Sequence, residues 1–145
     1  MIALRWAYFD TSILAKRYLD ERGSFQARVL MRRYQCLTSV LTPIEAVSAL
    51  ARRRVAGELS ARAFAVSDSR LRTDRDRWEL VAVSAALLRT AEEVVRDRGI
   101  KALDAVHIAS ALMFQSDSRI RIPFNSADER PLGAAAACGL RVERA

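Results

Sequence analysis

Apolar residues in this chain recur with two periods, and the two alternate along the sequence. Strand-like runs are expected at Leu4–Phe9, Cys36–Val40, Leu80–Val83, Ile120–Phe124 and Leu140–Glu143. Between them the spacing turns helical: Ser12–Leu19, a helix from Ser24 to about Arg33, one from Thr42 to about Val55, and one from Ser60 to about Arg72. Further helices are expected over Ala85–Arg98 and Leu103–Phe114, and from Glu129 or Pro131 to Ala137. The punctuation agrees with this reading. Ser24, Thr42 and Ser60 are N-cap residue types, Pro43 suits a first helical position, and Gly99 suits a C-cap. Strands separated by helices cannot pair as hairpins, so the expectation is an α/β fold: a mostly parallel sheet with helices on both faces.

That frame narrows what the rest of the sequence can mean. The 145 residues and 51% hydrophobic content are enough for one domain, 1–145, with its own core. No apolar run approaches the roughly 20 residues that span a bilayer, and Met1–Trp6 lacks a signal pattern, so a soluble cytoplasmic protein is expected. Cys36 and Cys138 are isolated and lack metal-ligand spacing, which predicts buried reduced thiols. The net charge of +7 is carried almost wholly by arginine, since the only lysines are Lys16 and Lys101. Such a balance suits a polyanion, although it also arises as a solvated surface.

Four acids stand where packing does not explain them. Asp10 ends the run Trp6-Ala7-Tyr8-Phe9, and Asp128 follows Phe124-Asn125-Ser126-Ala127. Glu45 lies just inside the helix begun by Thr42-Pro43, and Asp104 interrupts the apolar segment Ala102–Ala109. In a parallel sheet, sites form beyond the carboxyl ends of strands, which is where Asp10 and Asp128 fall. Each acid also has a plainer use. Asp10 and Asp128 fit helix N-caps, and Glu45 fits a first-turn acid favoured by the helix dipole. Together they point to one pocket with a divalent cation, because a lone carboxylate in apolar surroundings is costly unless paired or metal-bound.

The segments Tyr8-Phe9-Asp10-Thr11-Ser12, Thr42-Pro43-Ile44-Glu45, Leu103-Asp104-Ala105-Val106-His107-Ile108-Ala109 and Ser126-Ala127-Asp128-Glu129-Arg130 resemble, in order, the acidic motifs of PIN-domain ribonucleases. The similarity is closest to VapC-type toxins of toxin–antitoxin pairs and spans nearly the whole chain. One departure is Ser126, where the family more usually has threonine. The resemblance implies a PIN-like three-layer sandwich, hydrolysis of RNA leaving a 5′-phosphate, a homodimer and a small antitoxin partner.

On this reading Asp10, Glu45, Asp104 and Asp128 are the catalytic acids. Asp10 and Asp104 are the main ligands of Mg²⁺, with Mn²⁺ as a substitute; hard oxygen donors suit both ions. Glu45 binds metal or orients the attacking water, and Asp128 completes the pocket. Ser12 and Ser126 are expected to orient a carboxylate, or else to cap helices. Arg52, seven residues after Glu45, could touch RNA phosphate. His107 is read as a structural histidine. Phe25, Val29, Leu50, Leu59, Phe64 and Val66 are candidates for apolar surface left over for a partner.

Two rivals share parts of this pattern. A receiver-like Mg²⁺-binding signalling domain would need an acid ending the third strand and a lysine late in the chain, but Leu80–Val83 ends without an acid and the late strands carry no lysine. A catalytically silent PIN-fold binding module would have no need for all four acids. No Gly-x-Gly-x-x-Gly follows the first strand, which excludes a dinucleotide-binding domain.

Overall fold

The computed structural model of the protein describes residues 5–145, so Leu4, expected to open the first strand, lies outside the described residues. The strands are β1 (Arg5–Phe9), β2 (Tyr34–Ser39), β3 (Glu79–Val81), β4 (Pro123–Ser126) and β5 (Arg141–Arg144). They form one sheet in the order β3-β2-β1-β4-β5, with every neighbouring pair parallel. The chain leaves β1 toward β2 and β3 on one side. It returns to β4 and β5 on the other, which puts the switch point between β1 and β4. The expected α/β fold, a parallel sheet with helices on both faces, is present.

The helices are α1 (Thr11–Lys16), α2 (Ser24–Arg33), α3 (Thr42–Val55), α4 (Ala61–Arg75), α5 (Ala85–Arg98), α6 (Ala102–Ser118) and α7 (Glu129–Ala137). Strand alternation sends neighbouring side chains to opposite faces and so builds two cores. Ala7 and Phe9 join Ile13, Leu14, Ala27, Leu30, Leu50 and Leu71 beneath α1–α4. Tyr8 points the other way, to Leu87, Ile108, Phe124 and Leu132 beneath α5–α7. Tyr8 and Phe124 stack with ring centroids 5.5 Å apart across the β1–β4 pair. Helix α6 is buried from Ala105 to Ala111, as its nearly all-apolar sequence requires.

Several local expectations need correction. β4 begins at Pro123 instead of containing it: at the first strand position the missing N–H removes no ladder bond. Ser24 and Thr42 are not N-caps; Gly23 and Leu41 hold those positions. Their hydroxyls are used elsewhere. Ser24 donates to the Leu19 carbonyl at 2.7 Å, and Thr42 pairs with Thr38 at 2.6 Å. Ser60 does cap α4 through the Ala63 N–H, and Gly99 ends α5 at φ 63°. Leu50 is fully buried and offers no partner surface, whereas Phe25 and Val66 are exposed. No helix among the described residues is long and apolar enough to cross a membrane.

The stacked Tyr8–Phe124 pair joins the two halves of the sheet at the switch point. Phe124→Ala is expected to destabilise the protein by about 3–5 kcal/mol through lost burial and a residual cavity. Urea denaturation of the two proteins, compared at equal slope, measures this directly.

Candidate active site

The four acids come from four elements and meet at the carboxyl ends of β1 and β4. A cleft of about 720 Å³ is lined by Asp10, Glu45, Asp104 and Asp128, with Thr11, Ser12, Arg52, Lys101 and His107 among its other walls. Each acid begins a helix. Asp10 and Asp128 occupy the N-cap positions of α1 and α7, and Glu45 and Asp104 lie in the first turns of α3 and α6. The positive ends of four helix dipoles therefore face the carboxylates. The dipole account considered for Glu45 applies to Asp104 as well, because α6 starts at Ala102.

Asp10 is 3% exposed and is the most tightly held of the four. Its Oδ1 accepts from the Ser12 hydroxyl at 2.6 Å and from the Ile13 N–H at 3.2 Å. Its Oδ2 accepts from the Ser126 hydroxyl at 2.5 Å. Asp10 is thus both the cap of α1 and a cleft carboxylate. Ser12 and Ser126 each have one hydroxyl proton, and both protons go to Asp10. Their mutual 3.1 Å approach is then a contact without a donor. The two oxygens instead accept backbone N–H groups: Ala127 to Ser12 at 3.0 Å, and Asp128 to Ser126 at 3.1 Å. Burial pushes the Asp10 carboxyl above its ordinary range, with His107, Ser12 and Ser126 opposing it in that order.

Glu45 is arranged differently. Its Oε1 accepts from the Thr11 hydroxyl at 3.0 Å and lies 3.0 Å from His107 Nε2. Burial alone would raise this carboxyl, but the His107 and Thr11 contacts together hold it below the ordinary value. Asp104 is raised, first by burial, then by the like charges of Asp128 and Glu45; His107 and Lys101 oppose this. Asp128 is exposed, and its side chain makes no cap hydrogen bond, so its carboxylate is left toward the cleft.

The three consecutive arginines of α3 separate in their uses. Arg53 bridges Glu21 and Glu58, and Arg54 lies over the Phe64 ring at 5.3 Å. Arg52 is exposed on the cleft wall, with no ion pair among the described residues. Opposite in sequence, Lys101 brings a second cation to the same cleft just before α6. Sequence reasoning missed Thr11 and Lys101. The signal for Thr11 was its place in the hydroxyl pair after Asp10, and for Lys101 its position one turn before Asp104. It also missed that the buried His107 touches Glu45.

Among the described residues, no three His, Cys, Asp or Glu side chains converge into a ready-made metal cage. The donor chemistry still fits Mg²⁺ or Mn²⁺, because Mg²⁺ is commonly held by one or two carboxylates and keeps several waters. Carboxylates raised by burial and mutual repulsion are also the groups that a cation relieves.

Because the folded state raises the Asp10 carboxyl, it takes up a proton more readily than the unfolded chain. The stability from this group is present in acid and is lost as pH rises through the raised value. Asp10→Asn removes an ionised, buried carboxylate. It is expected to raise the thermal midpoint at neutral pH in metal-free buffer, with the gain fading toward acid pH. Melting curves of both proteins over that range, in EDTA, check the sign.

The PIN domain family profile matches residues 7–119, from inside β1 to the residue that ends α6. No curated protein matches the chain. Solved structures share the fold. The sarcin–ricin-loop-cleaving toxin VapC20 of Mycobacterium tuberculosis superposes with a TM-score of 0.67 at 21% identity, covering 96% of this chain and 99% of that one. A toxin–antitoxin complex from Klebsiella pneumoniae gives 0.59 at 17% identity, covering 84% and 86%. FitAB, solved bound to a DNA fragment, gives 0.67 at 13% identity, covering 95% and 94%. At such identities the likenesses establish the fold alone, and the matched profile, which spans most of the described elements, decides membership: the chain belongs to the PIN domain family.

Proposed function

We propose that the protein is a metal-dependent endoribonuclease of the VapC toxin type, built as a single domain over 1–145. The observation that carries this reading is the meeting of four acids, distant in sequence, in one cleft at the switch point of the sheet. Asp10 and Asp104 would hold Mg²⁺ or Mn²⁺ there, with Asp128 completing the pocket. When bound, the cation supplies charge neutralisation at the phosphoryl oxygens and eases deprotonation of an attacking water.

The chain's own groups supply the rest. Glu45, held below its ordinary pKa, is the acid best kept ionised to accept a proton from water. Arg52 and Lys101, which line the same cleft, offer cations to substrate phosphates. Ser12 and Ser126 keep both Asp10 oxygens in place. None of these steps needs the RNA 2′-hydroxyl as nucleophile.

A second reading, a catalytically silent PIN-fold module, is favoured by one observation: the acids do not form a ready-made cage. Calorimetric titration with Mn²⁺ separates the two, since a silent module without metal gives no binding heat. For the nuclease, cleavage of RNA is expected in Mg²⁺ or Mn²⁺ and is expected to stop in excess EDTA. Asp104→Asn should lower turnover by about 100-fold or more, the scale of removing one charge-stabilising element, while the fold survives. A folded Asp104→Asn protein with native turnover, read on a gel of labelled RNA, sinks the ligand assignment.

The toxin reading adds partners. Phe25, Val55 and Val66 are exposed on α2, α3 and α4, on the helical layer that also carries Glu45. We assign this apolar surface to self-association and to a small antitoxin. Expression of the protein alone should slow bacterial growth. Co-expression of a small protein encoded beside it should restore growth, and a growth curve with neither effect refutes the toxin assignment.

A further inference from the structure

His107 is the only histidine in the chain, and it is 3% exposed on the inner face of α6. Its Nδ1 lies 2.7 Å from the Tyr8 hydroxyl. Its Nε2 lies 3.0 Å from Glu45 Oε1 and 3.3 Å from the Thr11 hydroxyl oxygen. Both ring nitrogens are therefore engaged, on opposite sides, by groups from β1 and α3.

The proton inventory of these contacts fixes one proton. The Thr11 hydroxyl proton goes to Glu45 Oε1. An ionised Glu45 has no proton to give, so the proton between Nε2 and Oε1 must sit on Nε2. With Nε2 as the donor on one side, the Tyr8 hydroxyl engages Nδ1 on the other and fixes the ring plane. Tyr8 is fully buried, and burial raises its phenol well above its usual value, so it keeps its proton. Packing fixes the phenol: Tyr8 stacks on Phe124 and meets His107 edge-on at 5.8 Å between ring centroids.

We propose that His107, fixed between Tyr8 and Glu45 with Nε2–H toward the carboxylate, is a positioning residue that aims the Glu45 carboxylate into the cleft. This inference rests on the reading of the cleft as a nuclease site. His107 does not take the proton from water, because neither ring nitrogen has a free lone pair facing the cleft. Its action is to share Oε1 with Thr11. Among the described residues Oε2 then has no hydrogen-bond partner and is left for water or cation. The chain Tyr8–His107–Glu45 thus ties the centre of the sheet to a carboxylate on a helix of the opposite layer.

With one histidine, ¹⁵N-histidine labelling gives the spectrum of a single ring. Two-bond ¹H–¹⁵N correlation of the native, metal-free protein is expected to show a protonated Nε2. Tyr8→Phe removes the partner of Nδ1 and should shift the Nδ1 resonance, while the proton stays on Nε2 beside Glu45. In the presence of metal, it should lower kcat on RNA by on the order of 10-fold with little change in KM. His107→Gln, whose side-chain amide can still donate to Glu45, should keep more turnover than His107→Leu. A native ring with no proton on Nε2 overturns the proposal, and so do folded Tyr8→Phe and His107→Leu proteins with native kcat. If the native protein cleaves no RNA, the nuclease reading fails, and the ring spectrum still decides the proton arrangement by itself.

Discussion

Four carboxylates at one edge of a sheet repel one another, and much of the surrounding structure answers that repulsion. Asp104 feels Asp128 and Glu45 directly. Four helix N-termini, two serine hydroxyls, one threonine hydroxyl and one imidazole are turned toward the acids. The hydrogen bonds do more than screen charge. Asp10 is bound by donors from α1 and from the end of β4, so the carboxylate joins two strands and a helix at the switch point. A carboxylate of the cleft is thus part of the architecture around it.

The acids are not equivalent, and their differences follow from their surroundings. Asp10 lies deepest, where burial outweighs three donors and raises its carboxyl. Glu45 lies nearer solvent with two donors on one oxygen, and its carboxyl is lowered. Asp128 stands at the open rim. Carboxylates pushed apart in this way can serve different roles in one cleft, one set suited to gaining a cation and another to remaining charged. The cations Arg52 and Lys101 sit on the walls instead of pairing with the acids. That leaves the field of the cleft mixed, with carboxylates and cations in one lining.

The alternating hydrophobic periods carried the fold, because they decide which faces must be buried. Errors fell at element ends, where capping by hydroxyls competes with tertiary hydrogen bonds. Thr42 looks like an N-cap locally, yet Thr38 on β2 takes its hydroxyl. Leu50 looks like surplus surface on an amphipathic helix, yet it is fully buried in the core that α1–α4 share. His107 looks like an ordinary core histidine, and it is buried as one. Nothing in the spacing Asp104-Ala105-Val106-His107 says that its outer nitrogen reaches an acid 62 positions earlier.

The sequence by itself determined the order of strands and helices and the layered architecture. It also determined the placing of Asp10 and Asp128 at strand ends. These are short-range matters, set by periodicity, turn residues and the requirement that a parallel strand be followed by a crossover. Tertiary structure alone decided the strand order, and with it the switch point at which the acids meet. It also decided which hydroxyl serves which carboxylate, and that Arg52 and Lys101 share a cleft while Arg53 and Arg54 are used elsewhere. Those outcomes depend on contacts between residues tens of positions apart. Their energies come from burial and hydrogen-bond geometry that no local pattern encodes.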